Sequence, residues 1–568
     1  MLLPALVLLT KIKCSHKELI RQNKSLTRLF IPHSSDRKLV LLLFAFFFLL
    51  NILTTGGHLD WWDGTEAFLV TESMALKNTA KLDPTVPSVK KLGFYVNYTV
   101  YANKAIQSGN NTDPSNTTLE PVYTVRSLLL SALGVPFYYL GLVLGLSPIT
   151  TLALAFNPVI ISLTAVILFC TSLEVHRSKK IAFVVSLIFS VCSFIWPYTS
   201  TFWVQPLQAL TLALSVYLIV RVQHYDKGFL CHYTVLSVNQ KKFLFSASAG
   251  FALGLSVFAH PTSSIFLPAF LVFSFFHVMR RDLKNFILLV IVLATMLLLV
   301  GLVNYLRFGS LTEFGYGYFS TLEAHNGWAG LIGLLISPGA GLIFYLPLAV
   351  LLPVGVKYMY KENAALLFLS AYIIVANWIY VGTLSFGAEP ISWSGGVAWG
   401  PRYFIPVLPF IMLILGYLIK YANKRKPFLR ATVVILCVAG FYVNLTAVLI
   451  WFQYGLVYGW LQEGLAAYPT SMDMITWTPL YSPIILHTKA LLTGYVSTIN
   501  PSQYANTSWY WMEYGTAPCA VDLYMFCNNG IATLVAIPLI LVPLFGLIFI
   551  RIGVIKYSKI KPGRIRIL

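Results

Sequence analysis

The chain has 568 residues, of which 57% are hydrophobic and 11% charged, with a net charge of +20. Soluble domains carry about 25% charged residues, so this composition excludes a soluble globular fold and implies an all-α polytopic membrane protein. The positive balance is not that of a nucleic-acid surface, because lysines and arginines stand in short clusters between apolar runs, where the positive-inside bias places them.

In chain order, Met1–Thr10 is apolar but is followed by Lys11, Lys13, Lys17, Arg21, Lys24 and Arg28 instead of a small-residue cleavage site. Residues 1–38 therefore read as a basic cytoplasmic segment and not as a cleaved signal peptide. Twelve apolar spans follow, at 39–55, 149–172, 181–199, 204–222, 243–260, 263–279, 285–305, 341–356, 364–384, 403–420, 429–452 and 531–550. Backbone groups in lipid must be satisfied internally, so each span is expected to be a helix. A cytoplasmic N-terminus puts the basic connections 173–180, 223–242, 280–284, 357–363 and 421–428 inside, with the tail from Arg551. The acidic residues then fall mostly outside, and the inverted topology would violate the bias almost everywhere.

Ser127–Leu146 is long enough to span, yet a span there would turn every later basic connection outward. It is expected to lie on the outer surface as an amphipathic or re-entrant helix broken by Pro136, and Gly330–Gly341 as a similar half-inserted segment. The organisation is thus a transmembrane module over 39–452 with a first outer loop at 56–126. An aromatic-rich outer segment at 453–530 follows, and then 531–568, a last span with a basic cytoplasmic tail. Glycosylation sequons at Asn97, Asn110, Asn116 and Asn506 fall in the two outer segments. So do Cys519 and Cys527. An oxidising compartment favours a disulfide between them, the alternative being two free thiols.

The stretch Asp60-Trp-Trp-Asp-Gly-Thr-Glu66 sets three carboxylates at the mouth of the first span. On a helix Asp63 and Glu66 share a face, and Asp60 joins it one turn earlier. Partly buried carboxylates suit a general base that takes a proton from an attacking hydroxyl. The same acids could instead cap a surface helix, Asp60 at its start and Glu66 in its first turns. Candidate groups for a phosphate are Arg402 and Tyr403 in Trp399-Gly-Pro-Arg-Tyr403, Arg126, Arg307, and His260 beside Pro261. Arginine's planar fork matches phosphate oxygens, though an arginine at a span end also anchors in headgroups. His and Cys do not cluster at ligand spacing, so no metal site is expected, and there is no nucleophilic triad or phosphate-cradling glycine loop.

Several motifs run in an order that resembles the GT-C superfamily of polyprenyl-phosphate-sugar glycosyltransferases, in particular the branch of protein O-mannosyltransferases and the lipid A aminoarabinose transferase. They are Asp63-Gly-Thr-Glu-Ala-Phe-Leu-Val-Thr-Glu-Ser-Met74, Pro136-Phe-Tyr-Tyr-Leu-Gly141, Trp196-Pro-Tyr-Thr-Ser-Thr-Phe202 and His260-Pro-Thr262. Arg307-Phe-Gly309, Ser337-Pro-Gly339 and Trp399-Gly-Pro-Arg-Tyr-Phe-Ile-Pro406 follow. The resemblance covers about residues 40–420. It implies a GT-C-like bundle with outer-face juxtamembrane helices and a multi-pass protein of the plasma membrane if the source is prokaryotic. Both termini would be cytoplasmic and the active site on the outer face.

It also implies Asp63 as general base, a polyprenyl- or dolichyl-phosphate sugar as donor with its phosphate near Arg126 or Arg402, no metal, and no further cofactor. The acceptor would be a protein, lipid or polysaccharide hydroxyl. Three positions depart from the pattern. Gly64 replaces the second acid, leaving that role to Glu66, to Asp60 or to no residue. Gln205 stands where relatives often have Glu, and Arg126-Ser127 lacks the usual Pro-Pro. The rival reading is a transporter or flippase of lipid-linked sugars. Transporters place ionisable groups near the midplane and show paired repeats, and the sequence shows neither.

Overall fold

The computed structural model describes residues 34–57, 59, 63–91, 121–224, 237–280, 282–315, 327–383, 392–396, 398–422, 427–450, 452 and 472–493. Asp60, the four outer sequons, Cys519, Cys527 and the span at 531–550 lie outside the described residues. Among those described the chain is all-helical, and seven helices are long and apolar enough to cross a membrane.

The first helix, α1 (Ser34–Leu53), leads to α2 (Asp63–Lys77), which opens on two acids, and to the single turn α3 (Pro87–Lys91). Helix α4 (Leu128–Leu144) occupies the stretch expected to lie on the outer surface. It starts at Ser127, whose side chain accepts from the Leu130 N–H, and stops at Gly145, whose φ of +66° closes the last turn. Pro136 does not break it. The neighbours fix the helix on both sides of the proline: the Ser131 hydroxyl donates to the Ala67 carbonyl at 2.9 Å, and the Tyr139 hydroxyl to the Ala75 carbonyl at 2.5 Å. One absent N–H therefore leaves the helix continuous.

Helices α5 (Pro148–His176), α6 (Lys179–Val191), α7 (Val204–His224) and α8 (Val238–Ala259) pack side by side, and α6 also packs against the later α13. The span expected at 181–199 is shorter as a helix than its apolar run. Pro197 lacks an N–H, and Trp196–Ser200 forms a 3-10 turn whose polar groups bond elsewhere. The Trp196 indole donates to Thr54 Oγ1 at 3.0 Å, and the Tyr198 hydroxyl to the Trp399 carbonyl at 3.0 Å. The run at 263–279 is likewise composite, a 3-10 turn (Pro261–Phe266) leading into α9 (Leu267–Phe273) and a wider turn beyond it.

Helix α10 (Leu283–Phe308) presents Leu298, Leu299, Leu302 and Leu306 outward, as a lipid-facing helix does, and ends at Gly309 with φ +75°. It is seated on α8 through two glycines: a Cβ at Gly250 would lie 2.4 Å from the Leu289 carbonyl oxygen, and one at Gly254 2.2 Å from Met296 Cβ. Small residues at this spacing let two helix backbones touch. After α11 (Gly327–Ile336), helix α12 (Leu352–Thr383) is two helices meeting at Asn363, where the backbone turns to φ −154°. Asn363 Oδ1 accepts from the Leu366 N–H and caps the second half, so a break falls between the spans expected at 341–356 and 364–384. Helices α13 (Leu408–Ala422) and α14 (Pro427–Leu449) complete the bundle, with α16 (Pro483–Thr493) beside α14 and α15 (Met472–Trp477) bonded through the Thr476 carbonyl to Ser337 and Gly339.

Side-chain contacts tie the ends of these helices together: the His176 ring at the end of α5 meets Tyr417 near the end of α13, and Lys420 pairs with Glu362 within α12. Among them lies a buried pair, Arg221 Nη1 to Glu174 Oε1 at 2.5 Å, with Arg177 3.6 Å from the other carboxylate oxygen. Helix α2 packs against α4, and its first residue, Asp63, meets Arg402, which precedes α13 at the end opposite Lys420.

Glu72 pins α2 in place there. It accepts from the Ser88 N–H and hydroxyl, each at 3.0 Å, and from the Tyr138 hydroxyl at 3.3 Å. Burial raises its carboxyl above the ordinary range, against the lowering effect of the Ser88 bonds. The folded state thus binds the proton more tightly than the unfolded chain, so the contribution of Glu72 to stability falls as pH rises from the unfolded value through the folded one. We expect thermal melts of wild type and Glu72→Gln to diverge over that window, with wild type alone losing stability toward neutral pH. Parallel curves would refute the assignment.

Candidate active site

The site is built where α2 begins. Asp63 and Glu66, three residues apart, share the face turned toward the segment before α4, which carries Arg126. Arg126 Nη2 lies 2.8 Å from Asp63 Oδ1, and its Nε 2.7 Å from Glu66 Oε2. The other Asp63 oxygen lies 3.3 Å from Arg402 Nη1. One carboxylate thus bridges two guanidinium groups drawn from segments 276 positions apart in sequence. Glu66 is nearly fully buried (5% of its side chain exposed), whereas Asp63 keeps a quarter of its side chain open.

Arg402 is aimed by the loop before α13. Gly400 adopts φ +64°, and a Cβ there would meet the Tyr345 ring at 2.6 Å, so the position requires glycine. Trp399 is fully buried, its indole donating to Asn444 Oδ1 at 3.1 Å. Pro401 then leads into a 3-10 turn over Arg402–Val407. The guanidinium donates to the Tyr403 hydroxyl at 2.9 Å and lies over the Trp203 ring, 4.6 Å from its centroid. Tyr403 therefore braces Arg402.

Arg307, at the end of α10, directs Nη2 to two backbone carbonyls, those of Thr124 and of Arg126 (3.0 Å). That grip holds the segment carrying Arg126. His260 caps the turn beginning at Pro261: its Nδ1 lies 2.8 Å from Thr262 Oγ1, and Gln208 donates to the hydroxyls of Thr262 and Ser263. It stands within electrostatic reach of Asp63, Arg126 and Arg402. Burial pushes its imidazole down to about 4, against the pull of Asp63 and with the push of both arginines, so the ring is neutral at pH 7. For Asp63, burial alone would raise the carboxyl, but Arg126, then Arg402, outweigh it and hold it below the ordinary carboxylate range.

The structure therefore brings together Asp63, Glu66, Arg126, Arg402, Tyr403 and, through the backbone, Arg307, with His260 beside them. Sequence reasoning passed over Trp203, which supports Arg402, and Thr124, which takes one bond of Arg307. The available signal for Trp203 was its place as an aromatic beside Gln205 at the mouth of a span. The side-chain amide oxygen of Gln205, Oε1, is buried with no hydrogen-bond partner among the described residues. No group of three or more metal-ligating side chains occurs among those residues. Chemically, two carboxylates and two guanidinium groups can take a proton and hold an anion within one cleft.

No family model and no curated protein matches the chain. Among solved structures the chain is similar to ArnT from Cupriavidus metallidurans bound to undecaprenyl phosphate, at 12% identity and a TM-score of 0.40, covering 85% of each chain. It is also similar to the oligosaccharyltransferase of Archaeoglobus fulgidus in the apo form, at 14% identity and a TM-score of 0.39. That match covers 68% of this chain and 55% of the other, so the chain spans about half that enzyme's length. A third similarity is to archaeal oligosaccharyltransferase AglB from Archaeoglobus fulgidus in complex with an inhibitory peptide and a dolichol-phosphate (14% identity, TM-score 0.38, 80% and 60% covered).

Proposed function

We propose that this chain is an integral-membrane glycosyltransferase that moves a sugar from a polyprenyl-phosphate donor to an acceptor hydroxyl on the non-cytoplasmic face. The observation that carries the reading is the carboxylate of Asp63 set between Arg126 and Arg402, with Arg402 at the end of α13 opposite Lys420 and the basic 421–428 stretch. By the positive-inside bias that end is the outer one.

In the reaction the acceptor oxygen attacks the anomeric carbon and the bond from that carbon to the phosphate oxygen breaks. Asp63 takes the acceptor's proton, and the departing polyprenyl phosphate carries the negative charge to Arg126 and Arg402. Glu66 supplies the second acid in place of Gly64, acting through Arg126, and the donor's prenyl chain lies along the lipid-facing helices. The remaining parts of the proposal are that no metal is required and that Cys519 and Cys527 form a disulfide. The acceptor is a protein, lipid or polysaccharide.

The test is release of polyprenyl phosphate from a panel of polyprenyl-phosphate sugars by the purified full chain, with acceptor extract present. Donor-dependent release is the expected result. A folded protein that consumes no donor would overturn the reading and return the site to a transporter or flippase.

A further inference from the structure

A general base must be open to a proton, yet both Asp63 oxygens are engaged, Oδ1 by Arg126 at 2.8 Å and Oδ2 by Arg402 at 3.3 Å. Neither arginine depends on Asp63 for its position. Arg126 is paired to Glu66 through Nε at 2.7 Å, and its own carbonyl is gripped by Arg307 at 3.0 Å. Arg402 is braced by the Tyr403 hydroxyl and the Trp203 ring. The two guanidinium groups therefore form a fixed anion receptor, and Asp63 is the anion that fills it. A carboxylate and a phosphate present paired oxygens of the same charge and compete for the same N–H donors.

We propose that Asp63 is an internal stand-in for the donor's phosphate. In the free protein it occupies the Arg126–Arg402 receptor; a polyprenyl-phosphate donor takes over those guanidinium groups and sets the carboxylate free. No covalent step is involved, only an exchange of one anion for another. The inference rests on the reading of Asp63 as base and adds an order of events, in which the base is released only once the leaving group is seated. Water or a stray hydroxyl meeting the empty enzyme then finds a carboxylate tied to two cations.

The exchange has a consequence that a simple base would not share. Removing the carboxylate takes its charge out of the competition, so a variant without it should bind the lipid phosphate more tightly. The probe is undecaprenyl phosphate in phosphatidylcholine nanodiscs carrying the full chain, with inorganic phosphate in a parallel arm to separate lipid-borne from free phosphate. We expect Asp63→Asn and Asp63→Ala to bind it more tightly than wild type by about tenfold, the scale of one competing charge-assisted contact.

Asp83→Asn removes the same charge from a loop where the Asp83 carboxylate accepts from the N–H and hydroxyl of its neighbour Thr85, and it should leave the affinity unchanged. Tightening confined to the Asp63 variants supports the exchange whether or not inorganic phosphate follows. Unchanged or weaker binding by folded Asp63 variants overturns it, as does equal tightening by Asp83→Asn. Binding is read without turnover, so the two readings fail separately. A wild type that consumes no donor sinks the glycosyl-transfer reading, and flat affinities alongside a dead Asp63→Asn sink the exchange alone.

Discussion

Asp63→Asn is expected to lower donor turnover by about 10²- to 10⁴-fold, the range a positioned general base contributes, while the protein folds as wild type does. The amide keeps the shape of the side chain and can still accept from Arg402 or Arg126, but it cannot take the acceptor's proton. The cost to folding is small: one acid is lost from the first turn of α2, worth about 0.3–1 kcal/mol, and Glu66 remains to hold Arg126. The measurement pairs initial rates of polyprenyl phosphate release with thermal unfolding of the same preparation. Turnover within a few-fold of wild type would exclude Asp63 as base and pass the role to Glu66 or Asp60.

The largest expected effect on stability lies at the other end of the bundle. Arg221 and Glu174 are each about 5% exposed and meet at 2.5 Å. Replacing Arg221 with Leu leaves a buried carboxylate with Arg177 3.6 Å away. Breaking a buried pair from one side costs about 3–5 kcal/mol, and the Arg177 contact puts this case toward the lower figure. Denaturant unfolding in detergent should show that loss for Arg221→Leu and recovery of most of it in the double variant with Glu174→Leu. A single-variant loss under about 1 kcal/mol would mean that water reaches the pair. Activity per folded molecule should stay unchanged, since the pair joins the C-terminal ends of α5 and α7.

The low charge of this chain is what made the site readable from sequence. In a sequence with so few charged residues, Asp63, Glu66, Arg126, Arg307 and Arg402 stood out, and all of them meet in three dimensions. Their pairing was not legible. No periodicity says that Arg126 and Arg402 bind one carboxylate from two sides, because that depends on how the α4 approach and the α13 approach lie across α2. Arg307 stood out as a possible phosphate group, and its Nη2 instead goes to the carbonyls of Thr124 and Arg126, a contact that needs the end of α10 to arrive beside residues 124–126.

The spans followed from hydropathy where helix and apolar run coincide, as in α5 and α10. They did not where an apolar run holds a polar turn, as at Trp196–Ser200, since hydropathy counts Trp, Pro and Tyr without seeing that their side chains serve distant partners. Pro136 misled for a related reason: the chance that a proline stops a helix is local, while the contacts that keep α4 whole belong to α2.

The seat of α10 on α8 carries that helix's behaviour into the cleft. Met296 rests on Gly254, and Arg307 lies eleven residues further along the same rod, about 16 Å at 1.5 Å per residue. Between them only Asn304 and Tyr305, in the last turns, carry polar groups. A bulkier side chain at Gly254 would prise the rod outward at its middle and swing its tip, and the tip is what grips the strip of backbone bearing Arg126. A purely apolar defect, deep among hydrocarbon and far from any proton, would thus register in an assay as a fault in the reaction centre.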